Sequence, residues 1–157
     1  MSDDLQRINI ANFCTHLHFD AHRIENLFEV LDRQGSFDAP AGELSIAFVS
    51  KEEIARLHDQ FMNDPTPTDV ITFPGEPDVD LAGEICVCSQ VAQEYATKNK
   101  LDFSRELTLY LVHGYLHLAG FDDIEDEDRS EMRKAEEIAM ALLDQNKAIP
   151  KFDIAKI

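Results

Sequence analysis

His113 and His117 stand four residues apart in the run Leu109-Tyr-Leu-Val-His113-Gly-Tyr-Leu-His117-Leu-Ala-Gly120-Phe-Asp-Asp123. If this run is helical, 3.6 residues per turn bring both imidazoles to one face, at a separation that one metal ion bridges. Gly120 is a helix-stop signal, and Asp123, beyond the turn, is the candidate third ligand. Two imidazoles and a carboxylate leave a coordination position open, the pattern of a catalytic rather than a structural ion. Zinc suits this donor set best, while the ligand types also admit iron(II). The zinc-protease signature His-Glu-x-x-His requires a glutamate base after the first histidine; here that place is Gly114, which lacks a proton acceptor and instead permits close approach to the helix. Asp122 and Glu84 are the carboxylates suited by type to act as a base or to orient a histidine.

The elements that must position these groups follow from apolar spacing. Leu107, Leu111, Val112, Tyr115, Leu116 and their neighbours make Ser104 to Ala119 apolar almost all round, which predicts a central buried helix carrying the metal motif. Strands are predicted over Ile8–Phe19, Glu43–Val49, Val70–Phe73 and Ala82–Cys88, the last two close enough to pair antiparallel. Helices are predicted over Ala21–Arg33, from Ser50 as N-cap through Ile54, Leu57 and Phe61, over Ser89–Lys98, and over Asp126–Gln145 with Met132, Ala135, Ile138, Leu142 and Leu143 inward. Two prolines make Asn63–Asp69 a loop, Pro74–Asp80 reads as turn-rich, and the tail after Pro150 reads as mobile. The fold class is α+β: a single domain, residues 1–157, with a mixed sheet of about four strands packed with helices.

Composition narrows the function classes. A formal charge of −17 opposes a broad, sequence-independent grip on nucleic acid, which needs lysine and arginine to displace counterions. Asp122–Glu137 alone holds nine carboxylates against three basic residues, a solvated helix face or a docking surface for a basic partner such as a ribosomal protein. The three cysteines, Cys14, Cys86 and Cys88, are an odd number, and the opening Met-Ser-Asp-Asp-Leu has no secretory pattern, so a reducing, cytoplasmic setting is expected. Cys86 and Cys88 read as small buried hydrophobes on one side of a strand. No apolar stretch approaches a membrane span. His16, His18 and His22 read as polar surface, His58 as solvent-facing, and Thr68-Asp69 equally as a turn-closing pair or a substrate contact.

His113-Gly-Tyr-Leu-His117-Leu-Ala-Gly120-Phe-Asp122-Asp123 closely resembles the His-Gly-x-Leu-His-Leu-x-Gly-Tyr-Asp-His signature of the YbeY endoribonucleases. Thr68-Asp69-Val70-Ile71-Thr72-Phe73-Pro74 is similar to the family's Thr-Asp-Val-Leu-Ser-Phe-Pro strand, and Gly83-Glu84-Ile85, Arg105-Glu106-Leu107 and Met132 with Glu136 also match, so the resemblance runs from about Leu44 to Leu143. It implies a zinc-dependent endoribonuclease of single-stranded RNA that acts in ribosomal RNA maturation and ribosome quality control. Two positions depart from the pattern: Asp123 replaces the family's third histidine, and Met62 occupies the place of an arginine. An aspartate is still a competent donor, harder and anionic; methionine cannot hold phosphate, and Arg105 and Arg56 are the candidate substitutes. The residues therefore admit a metal-dependent endoribonuclease, a metal-dependent hydrolase of another substrate class, or a non-catalytic ribosome-biogenesis factor that keeps the metal. As a helix-end hydrophobe, Met62 is expected to fill a gap.

Overall fold

The computed structural model describes residues 7–155. In chain order the elements are β1 Ile8–Asn12, β2 Leu17–His18, α1 Ala21–Gln34, β3 Glu43–Phe48, α2 Lys51–Met62, β4 Val70–Glu76, β5 Leu81–Val87, α3 Ser89–Asn99, α4 Phe103–Leu118, α5 Asp126–Gln145 and β6 Asp153–Ile154. Four strands form a mixed sheet in the order β1-β3-β5-β4, parallel from β1 through β5 and antiparallel at β4, while β2 and β6 pair separately. This is the α+β arrangement expected from the sequence.

Side-chain caps set the starts of several helices. Asp20 accepts from the His22 N–H at 2.9 Å, Ser50 from the Glu53 N–H at 3.1 Å and Asp102 from the Arg105 N–H at 2.9 Å, each satisfying a donor with no partner inside its helix. Ile24, Leu27, Phe28 and Leu31 of α1 are all fully buried, the row that their spacing predicts.

Helix α4 lies at the centre, touching α3, α5, β4 and β5. Gly114 permits this seat: a Cβ there would lie 2.6 Å from Ile85 Cγ2 on β5. The close approach that glycine allows is thus toward the sheet. Alternation along a strand directs Ile85, Thr72 and Pro74 to the α4 face and Ile71, Glu84 and Cys86 to the other. On that other face Val49, Ile54, Ile71 and Cys88 form a small cluster beneath α2. Cys86 and Cys88 are buried as expected, and burial pushes the Cys86 thiol up to about 11.

Several boundaries differ from the sequence reading. The predicted strand Ile8–Phe19 is broken after Asn12, whose side chain accepts from the Cys14 N–H at 2.9 Å and donates to the Leu17 carbonyl at 3.0 Å, closing a turn in place of a ladder. Strand β4 continues through Pro74 to Glu76, because an edge strand tolerates the missing proline donor. Ile138 is exposed rather than inward: six residues beyond Met132 it falls about 120° off the buried row, which Ala139, Met140 and Leu143 occupy instead. The C-terminal segment is held in place. Phe152 is buried against Phe19 and Phe48, Ser104 Oγ accepts from the Phe152 N–H at 2.8 Å, and β6 pairs with β2. Among the described residues, no helix is long and apolar enough to cross a membrane.

Candidate metal centre

The two histidines leave α4 together, with ring centroids 4.8 Å apart. Beyond them the helix stops as the Ala119 N–H returns to the Tyr115 carbonyl and Gly120 takes φ +105°, a conformation favourable only without a Cβ. The chain then turns back, and the Phe121 N–H donates to the Leu116 carbonyl at 3.0 Å. Asp123 arrives over the imidazoles on this return. Its loop is fixed from the far side by Arg129 of α5, which donates to the Ile124 carbonyl at 2.7 Å and pairs with Asp126.

Asp123 Oδ2 lies 3.3 Å from His113 Nε2 and 3.5 Å from His117 Nε2, and the ligand atoms of the three residues all fall within 4.8 Å of one another. Around an ion with bonds of about 2.0–2.2 Å, neighbouring tetrahedral ligands are separated by roughly 3.3–3.5 Å. The two spacings to Asp123 therefore fit a small divalent transition-metal ion. Both imidazoles keep about a quarter of their surface exposed, and Asp123 rather more, so one side of the group is open to a substrate.

His113 is oriented by a residue whose role sequence spacing did not reveal. Its Nδ1 lies 2.6 Å from Glu136 Oε2 on α5, so the Nδ1 proton is donated to the carboxylate and Nε2 faces Asp123 and His117. Burial by itself depresses the His113 pKa, but the hydrogen bond and charge of Glu136, with the charges of Asp123 and Asp69, outweigh it and raise the pKa above the ordinary imidazole value. A signal was present: Glu136 sits beside the buried row of Met132, Ala135, Ala139 and Met140, and a carboxylate in such a row needs a partner.

The two carboxylates proposed from sequence for this role are elsewhere. Asp122 turns onto the backbone and accepts from the Asp123 N–H at 2.8 Å, and Glu84 is on the sheet face away from α4. Asp69 closes its own turn, accepting from the Val70 N–H at 2.8 Å, while its charge reaches His113, Glu106 and Tyr110. The candidate substitute arginines are engaged too. Arg105 forms a bidentate pair with Asp144 at 2.8 and 2.9 Å, two helical turns or about 12 Å along α4 from His113, and Arg56 pairs with Glu53 on α2. Met62 is 56% exposed and fills no gap. His58, expected to face solvent, is largely covered and its Nδ1–H donates to the Thr66 carbonyl at 2.8 Å. His16, His18 and His22 are exposed and join no group of potential ligands among the described residues.

Comparison with known proteins bears on the same residues. The profile of the family described as Endoribonuclease YbeY matches residues 9–144. The protein named Endoribonuclease YbeY from Protochlamydia amoebophila is 41% identical over 134 residues, covering 82% of this chain and 87% of its own. The protein of that name from Staphylococcus aureus is 36% identical over 121 residues, covering 70% and 77%. The solution structure of TM1509 from Thermotoga maritima superposes with a TM-score of 0.59 at 31% identity, over 90% of this chain and 94% of that one. Because the matched span contains both imidazoles, the acidic turn and Glu136, and extends across most of the sequence, this chain belongs to the YbeY family.

Proposed function

We propose that this protein is a metal-dependent endoribonuclease, with His113, His117 and Asp123 holding one zinc ion and single-stranded ribosomal RNA as the substrate. The observation that carries the reading is the convergence of both Nε2 atoms on one oxygen of Asp123, at distances suited to a shared ion. The names of the relatives supply the reaction class, and the open side of the group supplies room for a phosphodiester. When bound, the ion contributes Lewis acidity toward a phosphoryl oxygen. The chain's own part is to hold the donors ready: Glu136 keeps the His113 proton on Nδ1, the Gly120 turn brings Asp123 across, and Arg129 fixes that turn from behind. Residues 1–157 act as one domain in this reading, in the cytoplasm, in ribosomal RNA maturation and ribosome quality control.

The carboxylates of α5 serve in the same reading as a docking face for basic ribosomal proteins. A non-catalytic role in ribosome biogenesis is the second reading, favoured by the exposed methionine at position 62 and the charge of −17. The two separate in one assay. Purified protein with zinc should cut a single-stranded ribosomal RNA fragment and lose the activity on chelation; protein that retains zinc and leaves the RNA intact would favour the second reading.

A further inference from the structure

Among the described residues, one cavity on either side of the candidate metal centre reaches its residues, and the two differ in charge. The groove between α4 and α5, about 490 Å³, is lined by Asp102, Glu106, Glu136, Glu137 and Asp144 against Arg105 and Arg133. Arg105 is already neutralised by Asp144, so the groove presents a negative field that repels a polyanion. The cleft on the other side, about 410 Å³, runs between edge strand β4 and the C-terminal end of α4, and no side chain lining it is a carboxylate. Its lining includes Pro40, Thr72, Pro74, Gly75, His117 and Leu118.

In a molecule of charge −17, phosphate meets less repulsion in an uncharged cleft that includes His117 than in the α4/α5 groove. Its walls are fixed. Thr72 and Pro74 belong to the β4 face that looks toward α4, and Arg7 donates to the Pro40 carbonyl at 2.8 Å, anchoring the loop that forms the opposite wall. The apolar surfaces of Pro40, Pro74 and Leu118 suit the faces of a sugar and a base without reading base edges, and the cavity lies in the size range of small-molecule sites. No side-chain hydrogen bond engages the Thr72 hydroxyl among the described residues, which leaves it free for a polar group of a ligand.

We infer that this cleft is a substrate subsite that seats one ribonucleoside adjoining the scissile phosphate, with little preference for its base. The inference rests on the endoribonuclease reading. It places the RNA chain along β4 and keeps it out of the α4/α5 groove.

The test uses the zinc-loaded full chain and a fluorogenic single-stranded oligoribonucleotide. Thr72→Glu on one wall and Pro40→Glu on the other each introduce a carboxylate beside the path of the phosphates; each is expected to raise KM at least about tenfold, with kcat within about twofold and zinc content unchanged. Glu137→Gln, in the other groove, is expected to leave both constants alone. Wild-type protein that cuts no RNA would remove the nuclease reading itself. Wild-type cutting with Thr72→Glu and Pro40→Glu both at the wild-type KM, or a larger KM change in Glu137→Gln than in either, would overturn the subsite alone.

Discussion

The contact with Glu136 decides which nitrogen of His113 faces Asp123. With Glu136 Oε2 at 2.6 Å the proton rests on Nδ1, and Nε2 offers its lone pair beside that of His117. Glu136→Gln preserves the size of the side chain but can also donate, so the tautomer is no longer enforced. Zinc affinity measured by chelator competition is expected to fall about 10- to 100-fold, with a smaller loss than in Glu136→Ala. Equal affinity in wild type and both variants would contradict the orienting role. Sequence made His113, His117 and Asp123 legible because their relation is local, two residues one turn apart and a third just past a glycine. The role of Glu136 is not local in the same way: its contact spans 23 residues and depends on how α5 lies against α4.

The seat of α4 on β5 is the contact that fixes where both imidazoles stand. Gly114→Ala should favour the isolated helix by about 1 kcal/mol, yet the new Cβ would meet Ile85 Cγ2 at 2.6 Å, and overpacking of this kind costs about 1–3 kcal/mol. The clash is expected to win, lowering Tm by several degrees and weakening zinc binding. A Tm at or above wild type for Gly114→Ala would contradict the close seat. Elements set by their own periodicity were legible: α5 spans Asp126–Gln145 as predicted, and Ile24, Leu27, Phe28 and Leu31 of α1 are all buried as their spacing predicts, with Val30 buried beside them. Elements set by partners were not. Strand β4 outlasts its proline because β5 holds its other side, and the C-terminal segment is ordered by Phe19, Phe48 and Ser104, none of them near it in sequence.

Across the whole molecule, acid dominates and most described cations near the helices are spoken for: Arg105 by Asp144, Arg56 by Glu53, Arg129 by Asp126. Adding one guanidinium at an exposed position changes that balance. Met62→Arg is expected to tighten single-stranded RNA binding by roughly tenfold at low salt and to steepen the salt dependence by about one counterion, as read by fluorescence anisotropy. Unaltered affinity and slope would show that position 62 lies off the RNA path. The net charge was readable from composition, but its consequence was not, because only the folded chain separates an acidic groove from an uncharged cleft on either side of the histidines. The most direct check of the candidate centre is X-ray absorption at the zinc edge on the loaded wild-type protein, paired with zinc content in His113→Ala, His117→Ala and Asp123→Ala. Two imidazole nitrogens and a carboxylate oxygen at about 2.0–2.2 Å, with metal lost from all three variants, is the expected result. A spectrum without paired imidazoles, or full zinc retained by the variants, would contradict the centre and the mechanism built on it.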